Sequence, residues 1–184
     1  AATVLHPAAE PVRDARAYLA DALASAAEQG FPGLELMVVD DGSTDGSADL
    51  VAGAAPAARL FRHAAPRGPA AARNTALREA RGELIAFLDA DDVWVPGALE
   101  RLSRCLDARP EVQFVIGATE LVRMPQPGAP VGELAVLSPA RVSFFLPATL
   151  FRRSVFERVG LLDESLTFGE DSDWFLRARE QGVP

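Results

Sequence analysis

Residues 34–45 read LELMVVDDGSTD, an apolar run that passes directly into a turn built from carboxylates and a glycine. A short apolar run of this kind predicts a strand buried on both faces. The pattern returns at residues 84–92, LIAFLDADD, where a second apolar run again ends in aspartates. The sequence therefore predicts two buried strands, each with an acidic turn at its carboxyl end.

Helical periodicity lies between and beyond these strands, and Gly or Pro residues mark the helix ends. Strands alternating with helices predict an α/β fold with a mostly parallel, Rossmann-like sheet flanked by helices. The strand needed before the first helix can come only from Thr3 to Leu5. We expect one domain over residues 1–184, truncated at one or both ends, because the chain opens without methionine. The predicted helices cover residues 13–29, 47–53, 70–80, 96–108 and 171–181; the predicted strands cover 34–39, 59–62 and 84–88.

Composition excludes several functional classes. The chain has 18 basic and 26 acidic residues, a net charge of -8, and lacks the basic surface that nucleic acid requires. No apolar run is as long as a membrane-spanning helix. We expect a cytoplasmic protein that can associate with the inner face of the membrane. The single cysteine, Cys105, lies in a predicted helix, where we expect it to be buried.

The two acidic turns are candidate ligand sites. Ligands of open α/β sheets bind beyond the carboxyl ends of the strands, where Asp40 and Asp41 follow one strand and Asp89 and Asp91 follow another. Carboxylates crowded at one edge repel each other, and Mg²⁺ or Mn²⁺ would relieve that repulsion. The alternative is that these aspartates only cap helices and form turns.

A third acidic cluster, Glu170-Asp171-Ser172-Asp173, opens the last predicted helix. Capping explains at least one of these carboxylates. It does not explain three in four positions, whereas a base within reach of a substrate hydroxyl would.

Three segments together resemble the family 2 inverting glycosyltransferases of the GT-A fold. They are VVDDGSTDGSADLV (38–51), AAARNTALREARGELIAFLDADDVWVPGALERL (70–102) and ATLFRRSVFERVGLLDESLTFGEDSDWFLRA (148–178). The resemblance covers nearly the whole chain, in the family's order and spacing. It implies a GT-A fold and transfer of a sugar from a nucleoside diphosphate sugar.

The resemblance also implies roles for individual residues. Asp41 would contact the nucleotide base and Asp40 would support the same pocket. Arg73 would lie near the diphosphate. Asp91 and Asp89, of the Asp-x-Asp motif that begins at Asp89, would bind the metal, and Asp89 would also contact the nucleotide. The residue matching Asp171 is the expected general base.

The first motif of the family is altered here. Pro11 fits the family's spacing, but Arg13 stands where the family has an aromatic residue. A guanidinium can stack on a nucleotide base, so both residues remain predicted nucleotide-binding positions.

The predicted function is metal-assisted single displacement with inversion, from a uridine or other nucleoside diphosphate sugar. The acceptor would be a carbohydrate, lipid-linked or protein hydroxyl, as in bacterial polysaccharide biosynthesis. The alternative is a glycosyltransferase-like nucleotide-binding domain without turnover, suggested by the poor first strand.

His63 is expected to be an isolated loop histidine, and Trp174 fits core packing and sugar stacking equally well.

Overall fold

The computed structural model of the chain describes residues 2–6, 15–123 and 135–184. The helices are α1 (Ala15–Ala27), α2 (Ser47–Ala54), α3 (Pro69–Glu79), α4 (Ala98–Asp107), α5 (Ser154–Val159) and α6 (Glu170–Glu180). The strands are β1 (Ala2–His6), β2 (Glu35–Asp40), β3 (Arg59–Arg62), β4 (Leu84–Asp89), β5 (Phe114–Ile116), β6 (Ala118–Thr119), β7 (Val122–Arg123), β8 (Ala135–Val136), β9 (Arg141–Val142) and β10 (Thr149–Arg152); a 3-10 turn spans Leu146–Ala148.

The main sheet has six strands in the order β3-β2-β1-β4-β10-β5. The strands from β3 to β4 are parallel, whereas β10 is antiparallel to both of its neighbours. The prediction of an α/β fold with a mostly parallel sheet is therefore confirmed. The short pairs β6–β9 and β7–β8 form separate two-stranded sheets in the part of the chain between β5 and β10.

Strand β1 occupies the centre of the sheet, between β2 and β4. Its residues Val4 and Leu5 are paired in parallel with Met37 and Val38 on one side and with Phe87 and Leu88 on the other. The weak apolar segment at the start of the chain therefore forms the predicted first strand. It also separates β2 from β4, so the two acidic turns share an edge of the sheet without being on adjacent strands.

Alternation along the buried strands divides the core between the two faces of the sheet. Met37 and Phe87 pack with residues of α3, α5 and α6, whereas Val38 and Leu88 pack with α1 and α2. Trp174 belongs to the first group and is fully buried, and its Nε1 donates a 2.9 Å hydrogen bond to the Gly160 carbonyl. Its role is thus core packing, which excludes it from stacking on a sugar.

Helix α4 corrects the expectation for Cys105. The helix buries Leu99 and Leu106, with Leu102 partly buried against the same cluster, whereas the Cys105 thiol is exposed. Cys105 lies on the solvent side because the apolar stripe of this amphipathic helix is already filled by leucines.

Among the residues that the structure describes, no helix combines the length and apolarity needed to cross a membrane.

Candidate functional site

The turn after β2 is held by hydrogen bonds to both of its aspartates. Asp40 Oδ1 accepts from the Ser43 amide (2.9 Å), and its Oδ2 accepts from Arg62 Nε (2.9 Å). Asp41 Oδ2 accepts from the amides of Arg67 (2.9 Å) and Gly68 (2.7 Å). Both aspartates are buried. The turn-forming role is thus observed, and the predicted contacts of these two residues with a nucleotide stay predictions.

Gly42 lets residues 65–68 close over this turn. Its φ is +82°, and a Cβ at this position would lie 2.8 Å from the Pro66 backbone nitrogen. Only glycine combines that backbone conformation with so close an approach. Asp41 and Gly42 therefore fix the segment that leads into α3, and with it the start of the helix that carries Arg73.

His63 is part of the same cluster, so the expectation of an isolated loop histidine was wrong. Its Nδ1 lies 2.5 Å from Asp41 Oδ1, and its Nε2 lies 2.9 Å from Thr75 Oγ1. The parallel register of β2 and β3 pairs Asp40 with Arg62, which places the two following residues side by side. Both strands were predicted from the sequence, but their pairing was not, so no signal in the sequence placed His63 beside Asp41.

The turn after β4 presents carboxylates in three different environments. Asp91 is exposed, Asp92 is half-buried, and Asp89 Oδ1 accepts a 2.9 Å hydrogen bond from Arg73 Nη2. Burial raises the pKa of the Asp89 carboxyl, and the guanidinium of Arg73 opposes that rise. Burial and the charges of Asp89 and Asp91 raise the pKa of Asp92 to about 7. The sequence placed Asp92 in this acidic turn with Asp89 and Asp91 but gave it no role of its own.

These carboxylates fit a cation held jointly with a ligand. Among the described residues, no group of three or more His, Cys, Asp or Glu side chains converges on a point as a metal cage would. Mg²⁺ and its relatives typically take only one or two protein carboxylates and complete their shell with water and phosphate oxygens. Burial is the largest cause of the raised pKa of Asp92, and the charges of Asp89 and Asp91 add to it; a cation bound at this turn would offset that negative charge.

At the start of α6, two carboxylates of the third acidic cluster contact Arg73 and one does not. Glu170 Oε1 lies 2.6 Å and Asp171 Oδ1 3.3 Å from Arg73 Nη1. Asp173 instead accepts a 2.8 Å hydrogen bond from Arg177, one turn further along the helix. Glu170 and Asp171 therefore join the turn after β4 through Arg73, whereas Asp173 does not.

Asp171 occupies a setting that suits a base. Burial raises the pKa of its carboxyl, the charge of Arg73 and the hydrogen bond from the Leu146 amide lower it, and the charges of Glu170 and Asp89 raise it. The net direction is upward. A raised pKa makes a carboxylate a better proton acceptor while neighbouring donors still favour its ionised form.

Asn74 fixes the segment that precedes α6. Its Nδ2 donates to the Leu162 carbonyl (2.9 Å), and its Oδ1 accepts from the Leu162 amide (3.0 Å). Glu164, on the same segment, accepts from Asn74 Nδ2, Arg78 and Arg67. Neither Asn74 nor Glu164 was predicted from the sequence, because a contact between residues about 90 positions apart leaves no periodic pattern in the sequence.

Of the predicted site residues, Arg73, Asp89 and Asp171 come together directly, and Asp91 follows on the same turn. Asp40 and Asp41 lie at the same edge of the sheet, after β2. Pro11 and Arg13 lie outside the described residues.

Comparison with known sequences identifies a family. The model of the family described as glycosyl transferase family 2 matches residues 11–160. The succinoglycan biosynthesis protein ExoO of Rhizobium meliloti is 35% identical over 168 residues, which cover 82% of this chain and 48% of that protein. A protein of Escherichia coli named UDP-Glc:alpha-D-GlcNAc-diphosphoundecaprenol beta-1,3-glucosyltransferase WfgD is 33% identical over 114 residues, covering 61% and 44%.

Solved structures share the fold. S. aureus TarS residues 1–349 in complex with UDP superposes with a TM-score of 0.76 at 24% identity, over 98% of this chain and 55% of that one. The mannosyltransferase PcManGT from Pyrobaculum calidifontis, in complex with GDP-Man and Mn²⁺, gives a TM-score of 0.67 at 28% identity, over 98% and 51%. The chain spans about half the length, or less, of each of these proteins.

Proposed function

The chain belongs to glycosyl transferase family 2 and has its GT-A fold, and on that premise we propose that it transfers a sugar from a nucleoside diphosphate sugar to an acceptor hydroxyl. One observation carries the proposal. Arg73 joins Asp89, on the turn where a donor would bind, to Asp171, a carboxylate whose pKa is raised. The proposed donor site and the proposed base would thereby share one cluster at the carboxyl edge of the sheet.

Uridine diphosphate is the leaving group that we propose. TarS is solved with UDP and with UDP-GlcNAc, and WfgD is named for UDP-Glc. PcManGT is solved with GDP-Man, so the fold also accepts a purine nucleotide. Asp40 and Asp41 would form the floor of the nucleotide pocket, with Pro11 and Arg13 as its further predicted contacts.

Asp91 and Asp89 would hold Mg²⁺ or Mn²⁺. PcManGT is solved with Mn²⁺, and the exposed carboxylate of Asp91 has no partner that must be displaced among the described residues. When bound, the cation would supply Lewis-acid stabilisation of the charge that develops on the departing diphosphate.

Asp171 would accept the proton of the acceptor hydroxyl while the hydroxyl oxygen attacks the anomeric carbon. The attack comes from the face opposite the diphosphate, so a single displacement inverts the configuration and needs one base. General-base catalysis is typically worth about 10²–10⁴-fold in rate.

The names of two relatives support an acceptor class. ExoO is named for succinoglycan biosynthesis, and the name of WfgD specifies a diphosphoundecaprenol-linked sugar. We propose a carbohydrate or lipid-linked acceptor in polysaccharide biosynthesis, used at the inner face of the membrane.

The alternative function, nucleotide binding without turnover, rested on the weak first strand. Since β1 pairs with both β2 and β4, the fold gives that alternative no support. Incubation of the purified chain with a panel of UDP-sugars, a polyprenyl-diphosphate-sugar acceptor and Mn²⁺ separates the two functions. We expect release of UDP that depends on acceptor and is lost in Asp171→Asn. UDP binding without release from any donor would support the alternative.

A further inference from the structure

Arg73 contacts three carboxylates of this chain through the two outer nitrogens of its guanidinium. Its guanidinium is buried, with 4% of the side chain exposed. Nη2 contacts Asp89 at the end of β4, and Nη1 contacts Glu170 and Asp171 at the start of α6. Its Nε is buried and has no hydrogen-bond partner among the described residues. Both outer nitrogens are therefore committed to carboxylates of this chain.

We infer that Arg73 is a positioning residue: it ties the turn after β4 to the start of α6 and orients the Asp171 carboxylate, instead of binding the diphosphate. The inference rests on the proposed function for its role in transfer, but its contacts can be tested separately.

The electrostatics favour this assignment. A diphosphate that reached Arg73 would have to enter a space bordered by Asp89, Glu170 and Asp171, and like charges at such distances disfavour one another strongly in a buried setting. A buried guanidinium is stable only when its carboxylate partners remain in place. The cation expected at Asp91 is a better partner for the diphosphate, because that side chain is exposed.

The geometry around Asp171 gives the functional consequence. Its Oδ2 accepts a 3.0 Å hydrogen bond from the Leu146 amide, while its Oδ1 faces Arg73 Nη1. Two donors on opposite oxygens fix both the position and the plane of the carboxylate. A base held in a productive orientation can lose on the order of 10²-fold in rate when it is misplaced by about 1 Å.

The two possible roles of Arg73 predict different losses of UDP affinity and of kcat in Arg73→Met. If Arg73 orients the base, UDP at saturating Mn²⁺ should bind within about threefold of the wild-type affinity, while kcat for transfer falls on the order of 10²-fold. If Arg73 binds the diphosphate, loss of a charge-assisted bond should weaken UDP binding by about tenfold or more. Calorimetry of Mn²⁺ and UDP, beside steady-state kinetics, measures both quantities.

Matched controls are available on the same helix. Arg78 is exposed and its side chain pairs with Glu164, so Arg78→Met should leave binding and kcat near wild type. Arg73→Lys keeps the charge but lacks the planar fork, so we expect it to restore part of kcat. A loss of UDP affinity as large as the loss of kcat/KM in Arg73→Met would overturn the inference.

Stability provides a readout that needs no turnover. Asp171→Asn should recover part of the fall in denaturation midpoint that Arg73→Met causes, because it removes one carboxylate left without its partner. The changes in denaturation midpoint caused by Asp171→Asn and by Arg78→Met should instead be additive when the two substitutions are combined. If Arg73→Met does not fold, Arg73→Met/Glu170→Gln removes the cation together with one carboxylate and is measured instead. Additivity of the Arg73 and Asp171 substitutions would contradict the assignment even if the wild-type chain transfers no sugar.

Discussion

Asp171 Oδ2 accepts a 3.0 Å hydrogen bond from the backbone amide of Leu146, which begins the 3-10 turn before β10. The contact joins the first turn of α6 to the sheet, because β10 is paired with β4. Leu146 itself is fully buried, so the amide that holds the carboxylate is anchored in the core. The proposed base is thus held by the 3-10 turn that leads into β10, an antiparallel strand that was not predicted from the sequence.

The raised pKa of Asp171 predicts the pH dependence of transfer. A base acts in its ionised form, so the rate should rise as the pH passes through a pKa that lies above the ordinary value of 3.8. The measurement is kcat/KM against pH with saturating Mn²⁺. Asp92→Asn is the control, because burial and the charges of Asp89 and Asp91 also raise the pKa of Asp92, and its titration must be told apart from that of Asp171. A rate that stays constant down to about pH 4, the ordinary range of an aspartate, in both proteins would exclude Asp171 as the base.

Asp41 should contribute strongly to stability. Asp41→Ala removes the acceptor for His63 and for the amides of Arg67 and Gly68; these contacts are part-buried, and a donor left unpaired costs up to about 1–3 kcal/mol where it is fully buried. We expect the free energy of unfolding in urea to fall by roughly 2–4 kcal/mol. The exposed Asp49→Ala should change it by less than about 0.5 kcal/mol.

The same variant tests the nucleotide contact of Asp41. UDP affinity should be measured at a temperature where Asp41→Ala is fully folded. Weaker binding there would support the predicted contact with the base, whereas normal binding would leave Asp41 with its turn-forming role alone.

Asn74 should stabilise the fold without taking part in binding. Asn74→Ala leaves the amide and the carbonyl of Leu162 without their side-chain partner, a loss of about 2–4 kcal/mol in the free energy of unfolding. Chemical denaturation measures the loss, with Arg78→Gln as a surface control on the same helix. We expect unchanged UDP affinity in the folded protein, and an affinity loss larger than that of Arg78→Gln would contradict a purely structural role.

The sequence predicted the parallel half of the fold because its signals are local. The predicted strand 59–62 and helices such as 47–53 and 70–80 match the structure to within a residue or so. The secondary structure of the apolar segment 142–151 was harder to predict. Its residues belong to β9, to the 3-10 turn with Pro147 and to β10. Apolarity alone does not reveal strand direction, so the antiparallel course of β10 could not be predicted.

The candidate site was predictable where residues follow strands, and less so where side chains meet across the fold. Asp89 and Asp171 could be named from acidic turns and family motifs. The pairing of Arg73 with Glu170 spans 97 residues and depends on how α3 and α6 pack. His63 was misjudged because its partner is fixed by the register of β2 and β3, which the sequence does not state.

Asp91 should determine how UDP binding depends on a cation. Asp91→Asn removes the exposed carboxylate of the turn after β4 while leaving Asp89 paired with Arg73. A carboxylate ligand contributes charge that an amide lacks, so UDP affinity in Mn²⁺ should fall toward the value measured in chelator. Calorimetry with and without Mn²⁺ checks this, and the exposed Asp107→Asn serves as control. Equal wild-type affinities in Mn²⁺ and in chelator would refute the metal assignment.

Asp171→Asn gives the sharpest test of the proposed chemistry, and Asp173→Asn is its matched control two residues away. The N-cap of α6 is Gly169 and no side chain makes a capping hydrogen bond there, so the expectation that one of these carboxylates caps the helix was wrong and neither change removes a cap. The amide oxygen that replaces a carboxylate oxygen in Asp171→Asn can still accept from the Leu146 amide, whereas Asp173 contacts Arg177 outside the Arg73 cluster. As a base, Asp171 acts on the acceptor and leaves the donor nearly untouched.

We therefore expect Asp171→Asn to keep UDP affinity and the folded state while transfer falls by about 10²–10⁴-fold. Asp173→Asn should transfer sugar at close to the wild-type rate, because its carboxylate lies away from the turn after β4. Rates measured under single-turnover conditions separate chemistry from product release. Near-normal transfer by Asp171→Asn would move the assignment to Glu170, the other carboxylate that Arg73 Nη1 contacts.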